Sequence, residues 1–264
     1  MNALGSLQNI TLTQLARNKK VLFCEGAFDY KVLRRFASRM GFSELASGND
    51  LTQLASEGYS SWPKVQALAW GLRSTLGANI EIAAIYDRDF WCDEEIENVE
   101  LKLKSELAFA HIHRRKEMEN YLLVPSVLDR CLNRLIIERS KRTGETSEKV
   151  TILPLLESIT DNQKFELQGQ YAGKYTDFHR KSGRDVSTLN VESLRSFDEK
   201  WKILESRMEM VCGKDVLKIL RAKVSDLYSV TLTEIRIIDE FDNDEIPQDL
   251  RGLINSLECY RTNQ

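Results

Sequence analysis

The side chains most able to do chemistry are acidic, and they follow apolar runs directly. Lys20–Cys24 (KVLFC) leads at once into Glu25-Gly26-x-x-Asp29. Ile80–Tyr86 (IEIAAIY) leads into Asp87-Arg88-Asp89. A third group lies in Arg115-Lys116-Glu117-Met118-Glu119-Asn120-Tyr121-Leu122-Leu123. Carboxylates gathered at strand ends repel one another unless a cation lies between them. Ligands that are all oxygen select a hard ion, so Mg²⁺ or Mn²⁺ is the expected cofactor.

Those groups need a frame. The apolar, β-branched character of Lys20–Cys24 and Ile80–Tyr86 predicts two buried strands, and Phe109–His113 is a weaker third. Gly26 permits a tight turn after the first strand. Asp29 then opens a helix over Phe28–Met40, where a carboxylate is favoured near the N-terminal dipole. Asp87 and Asp89, two apart on an extended strand, are expected to point to one side. Trp62–Leu76 reads as an amphipathic helix with Pro63 in its first turn. This strand–helix alternation predicts an α/β sheet with parallel strands, flanked by helices. Beyond Pro125 helical periodicity takes over, at Val127–Arg139, Val150–Ile159, Val191–Met208, Lys214–Leu227 and Leu250–Cys259. Ser140–Lys149 and Gly173–Ser187 read as exposed connections.

Taken together and in this order, the Glu-Gly and Asp-x-Asp groups resemble the TOPRIM superfamily over roughly residues 18–125. The Arg115–Leu123 segment looks like the R-x-E-I-E-N-Y-L-L signature of nucleases of the overcoming-lysogenization-defect (OLD) family. Gly213-Lys214-Asp215-Val216-Leu217 is similar to that family's G-K-x-x-L element. The resemblance implies a TOPRIM (Rossmann-like) catalytic domain at 18–125 and a mainly helical domain at 126–264 that completes the active site through Lys214. It implies a two-metal-dependent endonuclease that hydrolyses phosphodiester bonds of nucleic acid, DNA foremost. Glu25, Asp29 and Glu119 would serve one ion and Asp87 and Asp89 the other, with Glu117 a second choice. Glu25 would also act in acid–base chemistry, and Lys214 would stabilise the transition state. Arg34, Arg35, Arg114, Arg115 and Lys116 are the candidate phosphate contacts, and Arg139-Ser140-Lys141-Arg142 is a further basic cluster.

Composition narrows the setting. The 264 residues carry 37 basic and 40 acidic side chains, a net charge of −3, which excludes a sequence-independent basic coat for nucleic acid. Hydrophobic residues at 42% with only 13 Gly and 4 Pro exclude a mainly disordered chain. No apolar run reaches the length of a membrane span, and no secretory pattern opens the sequence. Cys24, Cys92, Cys131, Cys212 and Cys259 are scattered, so the expectation is reduced thiols in a cytoplasmic protein and no zinc site. Three histidines are too few for a His-rich metal site; His111 and His113 read as strand-end polar residues. The four tryptophans read as packing, with Trp91 the candidate to face a nucleic-acid groove.

Relatives of the OLD type usually carry an ABC-type ATPase ahead of the TOPRIM part, and the G-x-x-x-x-G-K-[ST] pattern is absent here. The resemblance therefore implies a separate subunit or an excised domain working with an ATPase partner, as an effector of bacterial anti-phage defence. A homodimer is a candidate assembly. The alternatives are a TOPRIM nuclease that cuts RNA or tRNA, and a non-catalytic TOPRIM sensor or scaffold that binds metal or nucleic acid. Topoisomerase and primase modules lack the E-N-Y signature, and Asp89-Phe90-Trp91 departs from the phosphatase D-x-D pattern.

Overall fold

The computed structural model describes residues 17–56, 80–146 and 148–262, together with 63, 66, 67, 70, 71 and 74. The helix expected over residues 62–76 lies largely outside the described residues. The chain forms two compact units that do not follow a single cut. One comprises residues 1–87, 98–113 and 246–264, and the other residues 88–97 and 114–245.

The first unit is built on four parallel strands: β1 (Lys20–Cys24), β2 (Thr52–Ala55), β3 (Glu81–Tyr86) and β4 (Phe109–Ile112), in the order β2-β1-β3-β4. Val21 pairs with Thr52 on one side and Ile82 on the other, and Ala83 pairs with Phe109. In β1, Val21 to Cys24 are at most 1% exposed, so this strand is covered on both faces. That explains its unbroken apolar run. Helix α1 (Ala27–Arg39) buries Val32, Leu33, Phe36 and Ala37 along one stripe. A short helix α2 (Ser43–Ser47) follows and ends at Gly48, whose φ of 69° is the left-handed cap glycine tolerates. Helix α3 (Asp93–Glu106) precedes β4.

β2 was not expected from the sequence. Its four residues TQLA end half-buried or exposed at the sheet edge, and they carry too little apolar pattern to declare themselves. The last helix of the chain, Gln248–Thr262, belongs to this unit. Its Tyr260 hydroxyl lies 3.1 Å from the Val21 carbonyl and 3.0 Å from that of Glu81. In return Lys20 Nζ donates to the carbonyls of Tyr260 and Arg261 at 2.9 and 3.0 Å. The N-terminal ends of β1 and β3 are thus tied to a helix more than 160 residues distant in sequence.

The second unit is helical: α4 (Pro125–Thr143), α5 (Leu153–Asp161), α6 (Lys164–His179), α7 (Val186–Trp201), α8 (Leu204–Met210), α9 (Gly213–Tyr228) and α10 (Glu234–Asp239), with the 248–262 helix numbered α11. Pro125 sits in the first turn of α4, where its missing N–H is harmless. Three expectations fail in part here, the first because α4 runs on to Thr143, through the start of the connection expected over Ser140–Lys149. The stretch 173–187 is helical as far as His179, and the single helix expected over Val191–Met208 breaks at residues 202–203 into α7 and α8. α6 escaped notice because its sequence is evenly polar and carries Gly169 and Gly173, both facing open space. Trp201 and Trp91 are buried, whereas Trp70 is 74% exposed and serves no core.

Candidate functional site

In the first unit the acidic residues stand at the C-terminal ends of the two central strands. β1 has its earlier partner β2 on one side and β3 on the other, so the chain reverses direction across the sheet between β1 and β3. In parallel α/β sheets, that reversal point is where a crevice opens beyond the strand ends. Glu25 leaves β1 there and Asp87 leaves β3. The two are joined by the backbone N–H of Asp87, which donates to Glu25 Oε1 at 3.2 Å. Asp29 lies in the first turn of α1, where its Oδ2 accepts the N–H of Gly26 at 2.9 Å. Asp29 and Asp87 are 6% and 4% exposed. Burial pushes the neighbouring Cys24 thiol well up, and the negative charges of Asp29, Asp87 and Glu25 push it further. The charges of all three carboxylates thus reach that thiol. Their oxygens are the ligand type a hard divalent cation takes, but among the described residues they do not all lie within 4.8 Å of one another.

Asp89 departs from its expected geometry. The strand ends at Tyr86, and Asp89 sits in a turn with φ of 51°, exposed. The alternation of an extended strand does not reach it, so it does not share a face with Asp87 by that rule. Its backbone N–H donates to the Lys116 carbonyl at 2.9 Å, and both residues belong to the second unit.

The remaining acidic candidates are in that second unit. Met118–Leu122 forms a 3-10 helical turn. Glu117 precedes it, and its Oε1 accepts the backbone N–H of Lys214 at 2.9 Å, at the start of α9. Cys212, at the N-cap of α9, makes no side-chain cap bond. Glu117 thus does from a distant segment what a capping side chain does locally, and its charge suits the helix dipole. Glu117 Oε2 lies 3.7 Å from Lys214 Nζ and 3.6 Å from Lys116 Nζ. Glu119 Oε2 lies 4.0 Å from Lys214 Nζ. Glu117 and Glu119 are 5% and 7% exposed, while the Lys214 side chain is 55% exposed.

Asn120 holds this arrangement together. Its Nδ2 donates to the carbonyls of Met208 and Val211 at 2.7 and 2.9 Å, and its Oδ1 accepts the N–H of Glu117 at 3.0 Å. It is fully buried. The structure thus brings Glu117, Glu119 and Lys214 together, and Asn120, not singled out before, is the residue that fixes them. Its signal in the sequence was the one amide within an otherwise charged and apolar run.

The basic candidates divide. Arg34 spends its guanidinium on the carbonyls of Ala46 and Ser47, both at 2.7 Å, and lies over the Tyr30 ring. Arg35 is half-buried on α1. Arg115 donates to the Asn120 carbonyl at 3.1 Å, stacks on Tyr121 and pairs with Glu209 at 3.5 Å. Lys116 is only 5% exposed, with Nζ 4.7 Å from the Phe90 ring centre. Arg114 is exposed. Arg34, Arg115 and Lys116 are thus engaged in internal structure through their side chains.

The second unit also holds an open cavity of about 400 Å³ lined by Arg88, Phe90, Cys92, Glu94, Tyr171 and Glu192, among others. Phe90 meets Tyr171 edge-on at 5.2 Å, and the Tyr171 hydroxyl donates to the Met210 carbonyl at 3.1 Å. All five cysteines are free thiols. Among the described residues no helix is long and apolar enough to cross a membrane. No family model matches the sequence, and no curated protein or solved structure matches it either.

Proposed function

We propose that this chain is a divalent-metal-dependent nuclease that hydrolyses phosphodiester bonds, with Glu25, Asp29 and Asp87 as metal ligands. The observation that carries the reading is that Glu25 and Asp87 leave the two central strands where the parallel sheet reverses its order and are joined there by a hydrogen bond, with Asp29 in the first turn of the helix that follows Glu25. Mg²⁺ or Mn²⁺ held there would lower the pKa of an attacking water and offset charge developing on the phosphate. Asp89, Glu119 and Glu117 are the further ligands this reading assigns, through the OLD-type resemblance. Lys214, flanked by Glu117 and Glu119 and largely exposed, is its cation for the pentavalent phosphorus. The same resemblance supports an effector role in anti-phage defence beside an ABC-type ATPase.

The test is cleavage of supercoiled plasmid, linear DNA and total tRNA, with Mg²⁺ or Mn²⁺, by the wild type and Glu25→Gln. Metal-dependent cleavage that disappears in the variant supports the reading and names the substrate class. Full cleavage by the variant sinks the assignment of Glu25.

A further inference from the structure

Cys92, Glu94 and His179 bring three different ligand types to one place in the second unit. One donor atom from each lies within 4.8 Å of the others. Cys92 and Glu94 flank the first residue of α3, and His179 is the last residue of α6. A tetrahedral zinc ion with ordinary Zn–S and Zn–N distances separates its ligands by about 3.4–3.6 Å. The three donors thus need to close by little more than one ångström, which side-chain rotation supplies. Two orphaned atoms mark the same neighbourhood. His179 Nε2 and Glu95 Oε2 are buried and have no hydrogen-bond partner among the described residues. A buried imidazole nitrogen and carboxylate oxygen without partners are unusual, and an ion or its water is a standard way to satisfy them. Cys92 and Glu94 also line the open cavity, so an ion has an entry path and a free coordination position.

We propose that Cys92, Glu94 and His179 form a site for a borderline-soft divalent ion, Zn²⁺ being the natural occupant. Sulfur and nitrogen donors select against Mg²⁺, so this site is chemically distinct from the all-oxygen group of the first unit. Binding replaces the Cys92 S–H bond by a metal–thiolate bond, and the displaced proton passes to solvent. Glu95, whose buried Oε2 has no hydrogen-bond partner among the described residues, is the candidate for a fourth ligand. The site does not depend on the nuclease reading.

The experiment uses the full chain stripped of metal with a chelator, then titrated with Zn²⁺ by calorimetry and with Co²⁺ by absorption. The expected result is one equivalent of Zn²⁺ and a thiolate-to-cobalt charge-transfer band. Cys92→Ser removes the band, and His179→Gln and Glu94→Gln weaken Zn²⁺ by more than about 100-fold, since loss of even a second-shell partner costs about 10–100-fold. Glu94 is exposed, so its variant keeps the fold, and circular dichroism verifies this for all three. Mg²⁺ in excess leaves the Co²⁺ spectrum unchanged. A band that survives in Cys92→Ser, or Zn²⁺ affinity equal in the wild type and Glu94→Gln, overturns the proposal.

Discussion

A Cβ on Gly213 would lie 2.8 Å from Oδ1 of Asn120 and 2.9 Å from its backbone nitrogen. The glycine is required by this contact and not by its own backbone torsion. Asn120 must come so close because its amide bonds to the carbonyls of Met208 and Val211, just ahead of α9. The same residue orients Glu117, which then receives the Lys214 N–H in the first turn of α9 and faces the Lys214 ammonium. Two short segments of sequence, E-x-E-N and G-K, are therefore halves of one packed device.

Gly213→Ala should destabilise the protein by about 1–3 kcal/mol, the usual range for overpacking a tight interior. Urea unfolding measures it. An unchanged midpoint would mean that α9 can shift away from Asn120 without loss.

Lys116→Met tests whether this lysine serves structure or phosphate. It is buried beside Glu117 and over Phe90, so its removal should lower stability by about 1–3 kcal/mol, because a buried carboxylate loses one of its counter-charges. The salt dependence of nucleic-acid binding should keep its slope, whereas a phosphate contact would reduce that slope by about one.

On the proposed nuclease reading, Lys214→Ala should slow turnover by about 10²–10³-fold, the loss typical of one preorganised stabilising group. Its side chain is mostly exposed, so the thermal midpoint should move little. Single-turnover cleavage beside a melting curve separates the two effects.

His113 gives the fold a pH dependence. Burial lowers its pKa to about 3, from an ordinary value of 6.5. Between those values the unfolded chain binds a proton that the folded chain refuses, so stability falls as pH drops below 6.5. The slope contributed by this group approaches about 1.4 kcal/mol per pH unit. Denaturant unfolding between pH 7 and 5 should show it, and His113→Leu should flatten it.

The sequence made the sheet's centre legible because β1 and β3 are buried on both faces and read as unbroken apolar runs. It announced Glu25 and Asp87 because each stands where such a run stops, and Asp29 because it opens the helix that follows. It did not announce β2, whose edge position demands little apolar surface, nor α6, which is polar and punctuated by Gly169 and Gly173. The expected common face of Asp87 and Asp89 failed because the strand ends at Tyr86, three residues before Asp89. Lys116 looked like a surface cation because burial beside Glu117 is decided by tertiary packing. Cys92, Glu94 and His179 were invisible as a group for a similar reason. Cys92 and Glu94 alone suggest nothing, and His179 joins them only through the fold.

The tie between Tyr260 and the starts of β1 and β3 has a consequence for synthesis. Ribosomes deliver residues from the N-terminus, and domains usually complete in that order. Here the four strands emerge early, but the helix that anchors two of them emerges only after residues 114–245. At usual elongation rates that wait is on the order of ten seconds. The helical unit can finish folding within it, so the later part of the chain matures first. The starts of β1 and β3 gain this anchor only once Tyr260 has been made, so a nascent chain holds its central strands untied at that end until then.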